Sequence, residues 1–180
     1  TGQGQLVEGG PCSLNVSQFG DGAFDVKAVA SSYASSDYFY PWLQRGVGWV
    51  KVPKSVPNGT IVLTGGVNGC TIVVTELLGD YFFYHDGDSR HLYPGLTTGR
   101  EVARVGPADY DPGDAGSNAF QQRLAALAAA RTQPRGDVSY GHFVIAVKHA
   151  GQFGLYVTGL MSLNGFSRLP SDASPRLATF

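Results

Sequence analysis

Residues 64–87 read TGGVNGCTIVVTELLGDYFFYHDG, and this stretch decides the fold on which the rest of the chain builds. A glycine-rich segment leads into a β-branched run at residues 71–75, and an aromatic run follows at residues 80–84. β-Branched and aromatic residues are typical of strands, whereas glycines are typical of turns. The stretch therefore predicts a β-hairpin, with Cys70 where the first strand begins and His85 where the second strand ends.

The composition indicates one domain spanning residues 1–180. The chain has 25 glycines, 43% hydrophobic residues and only 15% charged residues, which favours short strands and tight turns. A net charge of −1 supplies no field for nucleic acid, and no apolar run is long enough to span a membrane. We expect no cofactor and a monomer.

Strand-like runs also occur at residues 24–30, 47–52, 60–63, 142–149 and 153–163, and residues 118–131 show the apolar spacing of a helix. The run at residues 24–30 alternates and predicts a half-buried strand. Both ends, residues 1–10 and 165–180, are expected to be loosely ordered. The sum is an α+β fold, a central mixed, mostly antiparallel β-sandwich with flanking helices.

The register of the hairpin decides whether Cys70 and His85 meet. Opposite residues of an antiparallel pair have numbers with a constant sum, so a four-residue turn at residues 76–79 would set Cys70 directly against His85. A tighter turn on Gly79 and Asp80 would instead set His85 against Val74, out of reach of the thiol. The sequence leaves both registers open.

A thiol beside an imidazole is the minimal equipment for acyl transfer, because the imidazole can take the proton of the sulfur. Thr64 is the candidate to fix the ring through its hydroxyl or carbonyl. Asp86 is less suited, since a regular strand turns it to the other face. Gly66 and Gly69 leave backbone N–H groups uncovered that, with the Cys70 amide, could form an oxyanion hole.

The spacing of Thr64, Gly69-Cys70 and His85 resembles that of the thiol glutamine deamidases. This family includes the cytotoxic necrotizing factor toxins, the related dermonecrotic toxin, Burkholderia lethal factor and the chemoreceptor deamidases. Its motif is a short Leu-Ser-Gly-Cys-like sequence with a histidine downstream. Here Asn68 stands where the family has serine, while Gly-Cys is kept, and the resemblance covers about residues 63–87.

The resemblance implies hydrolysis of a glutamine side-chain amide on a target protein, or transglutamination where an amine replaces water. By resemblance, the target is a host regulatory GTPase or a translation factor. Cys70 would attack the amide, His85 would protonate the departing ammonia, and water would resolve the thioester. The resemblance also implies a secreted toxin or effector that acts in the cytosol of the target cell. The chain begins at Thr1 without Met, which we interpret as a mature form or a domain excised from a longer chain.

Other hypotheses remain open at this level. Cys70 could form a disulfide with Cys12, which would remove the nucleophile. The aromatic loop that includes Tyr33, Tyr38, Tyr40 and Trp42 could dock a protein substrate or pack in the core, and in a non-catalytic β-sandwich it would be the binding surface. A metal site near His85 and His91 is disfavoured by ligand spacing, and a papain-like peptidase by the β-branched run after the cysteine.

Overall fold

Two β-sheets form the body of the protein in the computed structural model, which describes residues 5–18, 23–31, 36–134, 136–169 and 176–180. The first sheet has five strands in the spatial order β1-β5-β8-β7-β9. Their bounds are β1 Gln5–Glu8, β5 Gly46–Pro53, β7 Thr71–Leu77, β8 Asp80–Asp86 and β9 Arg100–Val105. Within this sheet β1 runs parallel to β5, and the other neighbours are antiparallel.

The second sheet has eight strands, with the path β12-β11-β10-β6-β4-β2-β3 and β13 paired to β11. Their bounds are β2 Gly10–Gln18, β3 Phe24–Ala30, β4 Asp37–Phe39, β6 Ile61–Leu63, β10 Ser139–His149, β11 Gln152–Ser162, β12 Phe166–Arg168 and β13 Arg176–Thr179. Only β4 and β6 pair in parallel here. The architecture is thus α+β, rich in sheet and mostly antiparallel, as the sequence predicts.

The helical part of the described chain is small. A short helix, α1, covers Pro107–Tyr110, and the main helix, α2, covers Ala115–Ala129. The helix predicted at residues 118–131 therefore exists but begins three residues earlier. Its first turn is capped by Asp111, whose carboxylate accepts the backbone N–H of Gly116 at 2.7 Å. No helix among the described residues is long and apolar enough to cross a membrane.

The core lies between the two sheets. Inner-face residues of the first sheet pack against inner-face residues of the second sheet, and the C-terminal Phe180 stacks into the same cluster. The buried members from the two sheets include Val50, Val52, Ile72, Val74 and Phe83 on one side, and Val62, Val144, Ala146, Phe153 and Leu155 on the other. The inner face of the β7–β8 hairpin is thus shielded from water.

The hairpin adopts neither of the two registers considered from the sequence. Ile72 lies opposite His85 and Leu77 opposite Asp80, so the turn consists of Leu78 and Gly79 alone. Both turn residues have positive φ, 49° and 89°, the two-residue turn that matches the twist of paired strands. All three registers keep the same side chains on the inner face, so hydrophobic pattern could not separate them and the turn decided.

Parts of both terminal segments are paired into the sheets. Residues 5–8 form β1 against β5, and residues 176–179 form β13 against β11. The loose ordering expected for both ends stays a prediction, and residues 1–4 and 170–175 lie outside the described part. The strand at residues 24–30 has the predicted bounds but is mostly exposed rather than half-buried.

Candidate functional site

Cys70 and His85 share the inner face of the first sheet. Because Ile72 is opposite His85, Cys70 is a diagonal neighbour two positions along, and such neighbours are roughly 7–8 Å apart at Cα. Cys70 belongs to the same buried cluster as Ile72. The direct opposition considered from the sequence is therefore corrected to a diagonal one.

His85 is held at one nitrogen and unpaired at the other. Its Nδ1 lies 2.7 Å from Oγ1 of Thr64, the contact that the sequence predicts. Its Nε2 is buried and has no hydrogen-bond partner among the described residues. The side chain is fully shielded, and burial lowers the pKa of His85 to about 4. The ring is thus neutral at physiological pH.

The loop that leads to Cys70 is fixed by Asn68. The Asn68 side chain accepts the backbone N–H of His142 at 2.9 Å and donates to the carbonyl of Tyr140 at 2.8 Å. The Val67 N–H adds a backbone bond to the His142 carbonyl at 2.9 Å. These bonds tie the loop to β10 of the opposite sheet.

Two hydroxyl groups hold the residues on either side of the thiol. The Tyr110 hydroxyl, from α1, donates to the carbonyls of Val67 and Cys70. The Ser89 hydroxyl donates to the Gly69 carbonyl at 2.9 Å and contacts the Thr71 hydroxyl. Gly69 has a φ of +74°, a conformation that glycine adopts at little cost. Together with the bonds of Asn68 to β10, these contacts fix the backbone at Cys70 from β10, from α1 and from the turn at Ser89.

The thiol of Cys70 is buried, with 2% of the residue exposed, and its hydrogen faces the Asn68 carbonyl at 3.6 Å. Burial raises the pKa of Cys70, and the charges of Asp88 and Asp86 raise it further. Hydrogen bonding by the Asp88 backbone and the Trp42 side chain acts in the opposite direction and lowers this pKa. Among the described residues, the expected hydrogen bond between Cys70 and His85 is not formed.

The N–H groups proposed for an oxyanion hole are only partly suited to it. The Cys70 amide donates to the Val67 carbonyl at 2.8 Å, closing a turn, so it is not available as the sequence suggests. Gly66 and Gly69 lie in the same loop before the thiol. Hydrogen bonding by the Asp88 backbone and the Trp42 side chain, which sequence reasoning did not select, is what lowers the pKa of Cys70 here.

The three aromatic residues considered for substrate docking lie in different environments. Tyr40 is buried, and its ring packs edge-on against the His85 ring at a centroid distance of 6.4 Å. The Phe83 ring lies 6.1 Å from it, so Tyr40 belongs to the core. Tyr38 is half-buried beside the same core cluster. Trp42 remains 47% exposed and packs over the glycine-rich loop near Gly65. Tyr33 lies outside the described residues.

The two cysteines are free and buried, so no disulfide removes the thiol. Among the residues that the structure describes, no three His, Cys, Asp or Glu side chains are grouped so as to hold a metal ion. Asp86 instead accepts the backbone N–H groups of Arg90 and His91 at 3.2 and 2.8 Å, which fixes the turn after β8.

A second buried histidine lies behind the loop. Nε2 of His142 is 3.8 Å from Asp111 and has no hydrogen-bond partner in the described part of the chain, and burial lowers the pKa of His142. Its ring packs against Tyr110 at a centroid distance of 5.3 Å. His142 and His149 face opposite sides of β10, His142 being buried and His149 exposed. The roles of Tyr110, Ser89 and Asp88 were missed because each depends on long-range contacts; the turn-rich composition of residues 86–117 was the only available signal.

A scan of protein-family models and a search of curated proteins both return no match to this chain.

Proposed function

We propose that this protein deamidates a glutamine side chain on a target protein, with Cys70 as nucleophile, His85 as proton carrier and Thr64 as positioning residue. The observation that carries the proposal is the hydrogen bonding of the His85 imidazole. Its Nδ1 is hydrogen-bonded to Thr64, whereas its Nε2 is buried and has no partner among the described residues. His85 lies on the same sheet face as Cys70. Buried polar atoms are normally paired, so an unpaired nitrogen on the sheet face that also carries a thiol favours a chemical role.

The reaction begins with a neutral thiol and a neutral imidazole, since burial raises the pKa of Cys70 and lowers that of His85. The sulfur attacks the glutamine amide carbon while Nε2 of His85 takes the thiol proton. The tetrahedral intermediate then collapses: the C–N bond breaks, and His85 returns the proton to the nitrogen, which leaves as ammonia. The enzyme is left as a thioester.

Water completes the cycle. It attacks the thioester carbon as His85 takes one of its protons; the C–S bond breaks, and the sulfur recovers that proton. The products are a glutamate side chain and ammonia. An amine in place of water would give the transglutaminase outcome of the same site, and the sequence resemblance leaves this choice open.

The negative oxygen would be stabilised by the Asp88 amide and the Trp42 indole. The Asp88 amide and the Trp42 indole both favour negative charge at Cys70, as their effect on its pKa indicates. Donors fixed at the site of developing charge are among the largest contributions to catalysis. The exposed part of Trp42 also supports access of a substrate from this side.

The target and setting follow from the resemblance to toxin deamidases alone. A host regulatory GTPase or a translation factor is the class to screen first, with the protein secreted and active in the cytosol of the target cell. The competing role as an aromatic-loop binding module has less support, because Tyr40 is buried and Tyr38 is half-buried.

The test is a mass-spectrometric search for glutamine-to-glutamate conversion in host-cell lysate incubated with the protein. Cys70→Ala should abolish the conversions, whereas Cys12→Ala, which removes the other buried thiol, should retain them. Circular dichroism establishes that both variants are folded. An absence of conversions in wild-type samples, or their persistence with folded Cys70→Ala, would overturn the proposal.

A further inference from the structure

The β2–β3 hairpin extends away from the rest of its sheet. The short strand β4 pairs only with Gly10–Cys12 of β2, so beyond this point the hairpin is a two-stranded ribbon among the described residues. Isolated two-stranded ribbons are at best marginally stable in water. The ribbon therefore lacks the neighbours that stabilise the other long strands.

Large apolar side chains cover this ribbon without a protein layer over them. Phe24 is 58% exposed, Val26 43% and Val29 50%, and Val16 on β2 is exposed as well. Because neighbouring residues of a strand face opposite sides, Val26 and Val29 place apolar surface on both faces. Such a concentration of exposed apolar residues on one element marks an interaction surface.

The outer edge of β3 is also open. β3 is the last strand of the sheet path, with no strand beyond it in the described part of the chain. Proteins usually protect such edges with short strands, proline or several charges. The opposite edge of this sheet is occupied by β12 and β13, of three and four residues, whereas β3 has seven residues without proline or glycine.

The charges of β3 are complementary to those of an antiparallel copy of itself. If Val26 lies opposite Val26 of a second chain, Asp25 lies opposite Lys27 of that chain and Lys27 opposite Asp25. In the single chain these two charges contact each other at 3.5 Å along the strand, and both are exposed. The same register places Phe24 opposite Ala28, a large residue against a small one.

We infer that β3 pairs with β3 of a second copy of this chain across a two-fold axis at Val26, joining the two sheets into one. An edge that offers backbone groups, apolar faces and self-matching charges fits an identical strand, and a two-fold interface is the commonest arrangement of homodimers. The dimer would replace the monomer expected from the sequence, and it does not depend on the proposed enzymatic activity. A contact made by one strand from each chain is small, so we expect weak association, with a dissociation constant in about the micromolar to millimolar range.

Disulfide trapping tests the register directly. In the full chain Val26→Cys would place two thiols directly opposite, with Cα atoms about 4.5–5.5 Å apart, within the range of a disulfide. We expect mild oxidation to give a covalent dimer of Val26→Cys. Ala28→Cys is the matched control, because its two copies would be four positions out of register. Val16→Cys, opposite Val26 on β2, reports pairing through the other strand.

Charge exchange tests the same register without a new thiol. Asp25→Lys would place lysines opposite each other twice per dimer and should raise the dissociation constant about tenfold in light scattering over a concentration series. Asp25→Lys combined with Lys27→Asp restores both pairs and should restore association. A wild-type protein that stays monomeric at about 1 mM, equal trapping of Val26→Cys and Ala28→Cys, or preferential trapping of Val16→Cys would overturn the inference.

Discussion

The two buried cysteines of this protein lie in environments that differ in their polar groups. Cys12 is in β2 of the larger sheet, where burial and the charge of Asp37 both raise its pKa, to about 11. Burial also raises the pKa of Cys70, but there hydrogen bonding by the Asp88 backbone and the Trp42 side chain opposes it. Burial raises the pKa of both thiols, and of the two only Cys70 has hydrogen bonding that partly offsets this rise.

The supporting contacts differ in the same way. The backbone at Cys70 is fixed by Asn68, Tyr110 and Ser89. His85, whose Nε2 has no hydrogen-bond partner among the described residues, lies on the same face of the sheet. Cys12 lies between two ordinary strand neighbours, Asp37 and Ala30. This comparison teaches that the surroundings of a thiol, more than its burial, indicate a chemical role.

Among the tests of the difference between Cys70 and Cys12, the largest effect is expected from substitution of His85. His85→Gln should lower the turnover of the deamidation substrate by about 10²–10⁴-fold, because it removes the proton carrier. Alkylation of Cys70 should slow as well, while that of Cys12 stays unchanged. Steady-state ammonia release and peptide mapping measure the two effects. His149→Gln, at an exposed position, is the control; near wild-type turnover in folded His85→Gln would contradict the role of His85.

The next effect concerns the hydroxyl that holds the ring. Thr64→Val should lower the free energy of unfolding by about 1–3 kcal/mol, because it leaves Nδ1 of His85 buried and unpaired. Urea denaturation measures this loss. Thr64→Ser keeps the hydroxyl and should lose less. Thr60→Val is a matched control, since the buried Thr60 hydroxyl has no hydrogen-bond partner and its removal should be neutral or stabilising. Equal losses for the two valine variants would show that the Thr64 contact contributes nothing specific.

The pH dependence of stability should report the buried ring. His85 has a pKa of about 4 when folded and about 6.5 when unfolded, so the unfolded state binds more protons between these values. Stability should therefore fall with pH below 6.5, by about 1.5 kcal/mol at about pH 5 from this histidine. Chemical denaturation of wild type and His85→Gln isolates the contribution. Identical slopes in the two proteins would exclude a depressed pKa at His85.

The smallest effect is expected at Trp42. Trp42→Phe retains an aromatic ring but removes the indole N–H, so the pKa of Cys70 should rise and its alkylation should slow about two- to tenfold. Cys12 provides an internal reference in the same sample. A rate at Cys70 that is unchanged relative to Cys12 would mean that the indole does not stabilise the thiolate.

Local pattern was sufficient for most strands and for the main helix. The runs around β5, β10 and β11 are recognised by their β-branched and aromatic content, and the strand faces by alternation, as His142 and His149 illustrate. The pairing of Thr64 with His85 was also within reach, since it follows from spacing around one hairpin. The register of the β7–β8 hairpin could not be predicted from the sequence, because alternative registers that keep the same face inward bury the same side chains.

The sequence by itself determined the type of fold, the β7–β8 hairpin and the residues able to carry thiol chemistry, because these depend on short-range propensity and period. Only the tertiary structure decided the diagonal placement of Cys70 and His85, the fixing of the loop by Tyr110 and Ser89, and the exposure of β3. Each of these depends on which distant segments become neighbours, and a local pattern carries no information on that.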